Sequence, residues 1–227
     1  MRFIVGTMTE NDREGTAHPW RVLASKITFE DRWLKVRTDH CVMASGVEVT
    51  PYHVIESPDW ASVVALTRDL RLVMVREYRH ARGKIIDGIP GGVIDHADSG
   101  VPTGIAEAGA RRELLEETGY GGGRFIPILT TYPDPGNQTN AATAFLALGV
   151  EVKSAQTLDD SEAVDVYLDD FPTVLMRISG GSLLIHATHV AALWCAAARI
   201  LMGGEGMAET APLRDRLLAA FAAASIP

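Results

Sequence analysis

Apolar and polar positions fall into blocks along the chain, and the spacing within each block predicts an element. Residues 22–30, 33–43 and 47–57 interleave β-branched and aromatic side chains with polar ones and are separated by Asp31-Arg32 and Ser45-Gly46. Such runs between turn-forming residues predict a three-stranded antiparallel meander. Three strands bury too little to be stable alone, so this sheet is expected to pack on something. Residues 60–67 (WASVVALT) and 72–78 (LVMVREY) predict a hairpin turning at 68–71, and IIDGIP is a further strand-like run. Strands are expected again at 125–132, 141–150 and 164–168. Helices are expected before Gly119, from Phe171, at 185–202 and at 210–225. Residues 133–140 hold too many Pro, Gly and Asn for regular structure.

The helix that ends at Gly119 carries the most unusual pattern. Arg112-Glu113-Leu114-Leu115-Glu116-Glu117 sets three carboxylates at i, i+3 and i+4, within an arc of about 100° on one helix face. Their mutual repulsion is relieved by a divalent cation, and hard oxygen donors suit Mg²⁺, which keeps positions for water and substrate phosphates. A solvated acidic face with Arg112 paired to Glu116 is the plainer alternative. Ala106, Gly109 and Ala110 share the face one turn earlier, and being small they leave a ligand room to approach. Gly119 suits a helix C′ position and Thr103 an N-cap. Gly91-Gly92 brings flexible backbone close, and a glycine carbonyl there is a further possible ligand.

These residues resemble the Nudix box. Gly92 begins the pattern, and Arg112, Glu113, Leu114, Glu116, Glu117 and Gly119 match its second half, followed by Tyr120 at the final bulky position. The first half departs from it: Asp98 stands where the family has Glu, and the loop 95–102 carries an insertion. VREYR resembles the V-x-Q-Y-R signature of the branch that hydrolyses ADP-ribose and related nucleotide sugars, with Glu77 replacing Gln. The resemblance implies an α+β Nudix fold, an α/β/α sandwich with a mixed β-sheet, preceded by a small N-terminal antiparallel β-sheet that often helps build a homodimer. It implies Mg²⁺, with Mn²⁺ as a substitute, held by Glu113, Glu116, Glu117 and the Gly92 carbonyl. Arg112 would steady Glu116, and Arg79 would lie near the substrate diphosphate.

In the same branch a loop glutamate is often the general base, and alignment on Pro135-Gly136 puts Asn140 in its place. An asparagine takes up no proton at neutral pH. Either another carboxylate serves, with Asp159, Asp160 and above all Glu162 as candidates, or the chain belongs to a sister branch acting on other nucleoside diphosphate sugars. Trp33 and Trp60 are candidates for stacking on the base, with core or interface packing as the alternative. His186 and His189 lie three apart, but without a third ligand they are expected to be core or helix-surface residues.

The chain has 227 residues, a net charge of −8 and two cysteines, Cys41 and Cys195. A net negative charge argues against nucleic acid as a partner, because phosphate backbones need clustered cations. Two distant thiols make no disulfide framework, and with no apolar run of membrane-spanning length a cytoplasmic location is expected, with no membrane partner. The expected organisation is a tail at 1–19, a β-sheet subdomain at 20–58, a catalytic domain at 59–204 and a C-terminal helix at 205–227. The expected activity is metal-dependent cleavage of a small nucleoside diphosphate derivative such as ADP-ribose. A nucleotide-binding or regulatory domain of the same fold is the competing class.

Overall fold

The computed structural model describes residues 18–95, 104–159 and 162–224. These form two compact units, one comprising 18–57 with 136–139 and the other 58–135 with 140–224. The first contains β1 (Arg21–Glu30), β2 (Lys35–Val42) and β3 (Glu48–Glu56), paired antiparallel in sequence order as the alternation predicts. Asp39, buried in β2, accepts bonds from Ser25 at 2.6 Å and Arg37 at 3.0 Å. The segment 136–139, read from sequence as irregular, runs beside β3: Ile55 N–H donates to Asn137 O at 2.7 Å and Thr139 N–H to Ile55 O at 3.1 Å. Composition predicted a loop because glycine and asparagine carry no strand preference. The structure keeps it irregular, with turn at 136–137 and one isolated bridge from Gln138 to Ile55 on the edge of β3.

The second unit is built on a mixed sheet. Its strands are β4 (Trp60–Thr67), β5 (Leu72–Arg79), β6 (Lys84–Gly88), β7 (Gly91–Val93), β8 (Tyr120–Gly121), β9 (Arg124–Thr131), β10 (Ala142–Val152) and β11 (Val164–Asp169). The main path is β11-β5-β4-β10-β8, with β6 on β5, β7 on β4 and β9 on β10. Among the described strands β4 and β10 are the parallel pair, and both read as continuous apolar runs because both of their faces are covered. Alternate residues of β4 serve opposite faces. Val64 and Leu66 pack under α2 (Phe171–Ser179), α3 (Ala187–Met202) and α4 (Ala211–Ala223), whose Phe171, Leu193 and Leu217 are fully buried. Ala61, Val63 and Ala65 pack under α1 (Ile105–Thr118) through Ala110 and Leu114.

The ends of α1 decide where its carboxylates point. Gly119 closes it at φ +72°, its N–H bonding Leu115 O at 2.8 Å. The N-cap is Gly104, at φ +89° with no side-chain cap bond, not the expected Thr103, which lies outside the described residues together with Asp98 and Asp160. Glu107 in the first turn pairs with Arg111 at 2.8 Å. No helix among the described residues is long and apolar enough to cross a membrane.

Candidate active site

The box helix sorts its acidic residues by the direction of each turn. Ala110 and Leu114 face the sheet, which leaves Glu113 and Glu117 beside them, directed at β7, and Glu116 at the rim. Strand β7 approaches because it consists of Gly91, Gly92 and Val93 and pairs with β4, Ala61 opposite Gly92 and Ser62 opposite Gly91. Gly91 N–H donates to Glu117 Oε2 at 2.9 Å. A Cβ on Gly92 would stand 2.5 Å from the carboxyl carbon of Glu113. Bare backbone at Gly92 is therefore what lets Glu113 reach the strand, while Glu117 reaches it through the Gly91 N–H.

Arg112 locks this arrangement from outside. Its guanidinium donates to Glu113 Oε1 and Glu116 Oε2, both at 2.9 Å, and to Val93 O at 2.8 Å. Glu116 is half-exposed and does not line the cleft, so the three carboxylates divide into two that enter and one that positions the arginine.

The cleft between β7, the end of β5, Asp159 and residues 162–164 encloses about 320 Å³ and is walled by Trp60, Glu77, Arg79, Glu113, Glu117 and Glu162. Asp95, Arg112 and Asp159 also line it. Burial raises the Glu117 carboxyl to about 8, with the Gly91 bond opposing and the neighbouring Glu113, Glu77 and Glu162 adding. Burial likewise raises Glu113, against the pull of Arg112, and Glu77, against the pull of Arg79. Glu77 and Arg79 form an ion pair, and Arg79 Nε is buried without a partner.

Trp33 and Asn140 do not line the cleft, whereas Glu162 lines it and His189 is in the core as the sequence suggested. Trp33 belongs to the first unit, on the turn between β1 and β2, 75% exposed and under the Arg32 guanidinium. Asn140 is buried with its Oδ1 unpaired and does not line the cleft. Glu162 is exposed at the cleft wall, its backbone and carboxylate bonded to Asp159 at 2.9 and 3.2 Å. His189 is a core residue whose Nδ1 accepts the Ile89 N–H at 3.3 Å, and burial lowers it to about 3. Glu77 was read only as a departure from a signature. Its position two residues before Arg79 on one strand was the available signal, since i and i+2 share a face.

The donor set suits a hard divalent cation. Glu113 and Glu117 present carboxylate oxygens against glycine backbone, and the burial and neighbouring carboxylates that raise the Glu117 carboxyl are what a cation held there would offset. Among the described residues, no three His, Cys, Asp or Glu side chains already stand in a ready-made cage.

Fold and cleft together define an α+β protein with clustered carboxylates and two arginines lining one cleft. The NUDIX domain model matches residues 58–177, and the model of the nucleoside diphosphate sugar hydrolase N-terminal domain matches residues 20–55. The chain belongs to the Nudix family and is an enzyme of the Nudix hydrolase type. It is 26% identical over 147 residues to the methanol dehydrogenase activator of Bacillus methanolicus, covering 64% of this chain and 76% of that protein. It is 25% identical to the ADP-ribose pyrophosphatase of Bacillus subtilis with the same coverage. It is 24% identical over 193 residues to putative nudix hydrolase 2 of Caenorhabditis elegans, covering 76% and 83%. A solved structure described as an ADP compounds hydrolase shares the fold at a TM-score of 0.70 and 19% identity, covering 85% of this chain and 99% of that one.

Proposed function

We propose that the protein is a divalent-cation-dependent pyrophosphatase that hydrolyses a nucleoside diphosphate derivative such as ADP-ribose, releasing a nucleoside monophosphate and a sugar phosphate. The observation that carries this reading is the Glu117 carboxylate, buried against Gly91 beside Glu113 and across the cleft from Arg79. Glu113 and Glu117 would hold Mg²⁺ or Mn²⁺, with a carbonyl of the glycine pair completing the protein donors and Glu116 acting through Arg112. A cation there supplies Lewis acidity at a phosphoryl oxygen and a more acidic water. Arg79 neutralises the diphosphate, which draws it from Glu77. Trp60 forms an apolar wall for the base or sugar. Glu162, exposed at the cleft wall, takes the proton of the attacking water in place of the loop glutamate that Asn140 replaces. Glu77 and Asp159, also at the wall, are its competitors.

The relatives named for ADP-ribose hydrolysis support the substrate class. Exposed Val22, Ile27 and Phe29 on β1 support assembly of two copies through the N-terminal sheet. The test is product release from ADP-ribose, GDP-mannose, UDP-sugars and dinucleoside polyphosphates, with and without Mg²⁺ or Mn²⁺. Turnover that survives both chelation and Glu117→Gln would sink the assignment. The regulatory reading rests on Asn140 in the place of the loop glutamate, and it is favoured if nucleotide binds but no substrate in the panel is cut.

A further inference from the structure

The last turn of α1 cannot satisfy its own carbonyls from within the helix. Those after Leu115 are met by the irregular strap 153–157. Thr157 N–H donates to Glu116 O at 2.9 Å, and Lys153 N–H donates to Gly119 O at 2.8 Å. Glu117 O is met by a side chain instead: Gln156 Nε2 donates to it at 2.6 Å. The same nitrogen donates to Val164 O at 3.0 Å. Both acceptors are carbonyls, so only the NH₂ end of the amide can face them, and both of its hydrogens are used. The negative end of the helix favours a donor at this place.

The two carbonyls belong to different walls of the cleft. Glu117 carries the carboxylate that accepts from Gly91 N–H. Val164 opens β11, lines the cleft and stands opposite Glu77 in the antiparallel register with β5. Between Thr157 and Val164 the chain carries Asp159 and Glu162, both at the cleft wall. One amide therefore closes the loop 156–164 and ties its closing end to the helix. An ordinary helix cap needs only the first bond, and the second serves the far wall. Gln156 itself is exposed and does not line the cleft, so its bonds can be removed without opening a buried cavity.

We propose that Gln156 is a positioning residue: by clamping the Glu117 carbonyl to the Val164 carbonyl it holds the carboxylates of α1 in place against the wall that carries Glu77 and Glu162. Its effect on turnover rests on the hydrolase reading, whereas the clamp rests on geometry alone. Gln156 acts through Glu117 and Glu162 at the attack of water on phosphorus, so it sets kcat more than the affinity for substrate or metal.

The test compares Gln156→Met, of similar length but without a donor, with Gln156→Lys, whose ammonium keeps donors beside the helix end. With ADP-ribose and Mg²⁺, Gln156→Met is expected to lower kcat about tenfold, with KM and Mn²⁺ affinity within about twofold of wild type. Gln156→Lys is expected to restore kcat to within about threefold. A plain structural role would instead lower the melting temperature and leave the kcat of the folded fraction unchanged. Hydrogen exchange gives a readout that needs no turnover. In Gln156→Met the Thr157 and Glu162 amides, bonded to Glu116 O and Asp159 O, should exchange about tenfold faster, while Leu114 in α1 stays protected. Unchanged kcat in Gln156→Met, an equal loss in Gln156→Lys, or unaltered exchange at Thr157 and Glu162 would overturn the clamp. If the wild type cuts no substrate, the hydrolase reading fails by itself, and the exchange comparison still decides the clamp.

Discussion

Gly92 stands against the carboxylate of Glu113, so close that a Cβ would come within 2.6 Å of both carboxylate oxygens. A side chain at Gly91, by contrast, would strike the Ala61 carbonyl and the Ser62 backbone. Adjacent glycines of one short strand thus serve different ends. One leaves room for a functional group and the other for strand pairing.

Alanine at each position should separate these roles. Gly92→Ala pushes the flexible end of Glu113 out of the cleft, so Mn²⁺ affinity, read by titration, is expected to fall about tenfold with the melting temperature nearly unchanged. Gly91→Ala forces backbone apart in β4 and β7 and is expected to cost about 1–3 kcal/mol in urea unfolding. Equal effects of the two on stability would refute the division.

Glu117 predicts a proton linked to metal binding. With its carboxyl raised to about 8, the metal-free protein keeps that proton at neutral pH. The sign follows from linkage. A carboxyl raised in the folded state stabilises the fold fully below its ordinary value of 4.5, and that contribution is lost as pH climbs through about 8. Calorimetry in buffers of different ionisation enthalpy should show close to one proton released per Mg²⁺ bound at pH 7. Glu117→Gln should abolish this release and flatten the fall in metal-free stability between pH 5 and 8.

His189 predicts the opposite slope. Burial first, then His186 and Arg79, depress its imidazole from 6.5 to about 3. In the unfolded chain it takes a proton below about pH 6.5 and in the fold it does not, so stability is lost as pH falls. Between pH 6.5 and 5 this amounts to ~2 kcal/mol. Urea unfolding of His189→Gln, compared with wild type at pH 5 and 7, should lack that share. An identical pH difference in both proteins would show that His189 is solvated.

Arg112 binds Glu113, Glu116 and the Val93 carbonyl at once. Arg112→Lys keeps the charge but not the planar fork that reaches three acceptors. We expect kcat/KM to fall by roughly 10–100-fold for Arg112→Lys, an effect on the order of 1.4–2.7 kcal/mol, with Mn²⁺ affinity falling in parallel. A Lys variant with full metal affinity would mean that Glu113 holds its position unaided.

Much of the fold was legible because its signals are local. The hairpin at 60–67 and 72–78 appears as β4 and β5, and the apolar run at 141–150 as β10, since strands covered on both faces must be apolar throughout. Gly119 ended α1 where its left-handed backbone was expected. Residues 133–140 are irregular as composition predicts, but the partner of the 136–139 part was not legible, because β3 is some 80 residues earlier in the sequence, as in the Thr139 to Ser57 contact.

The site divides in the same way. Arg112, Glu113, Glu116 and Glu117 could be read as a set because helix periodicity links residues three and four apart, and this motif placed the chemistry on α1 from the sequence alone. Tertiary structure alone decided that Glu113 and Glu117 enter the cleft while Glu116 stays at the rim. It also brought Glu77, Arg79 and Glu162 to face them. The physical reason is that a carboxylate's partners, burial and protonation come from β5, β7 and residues 162–164, which sequence spacing does not bring together and the packed sheet does.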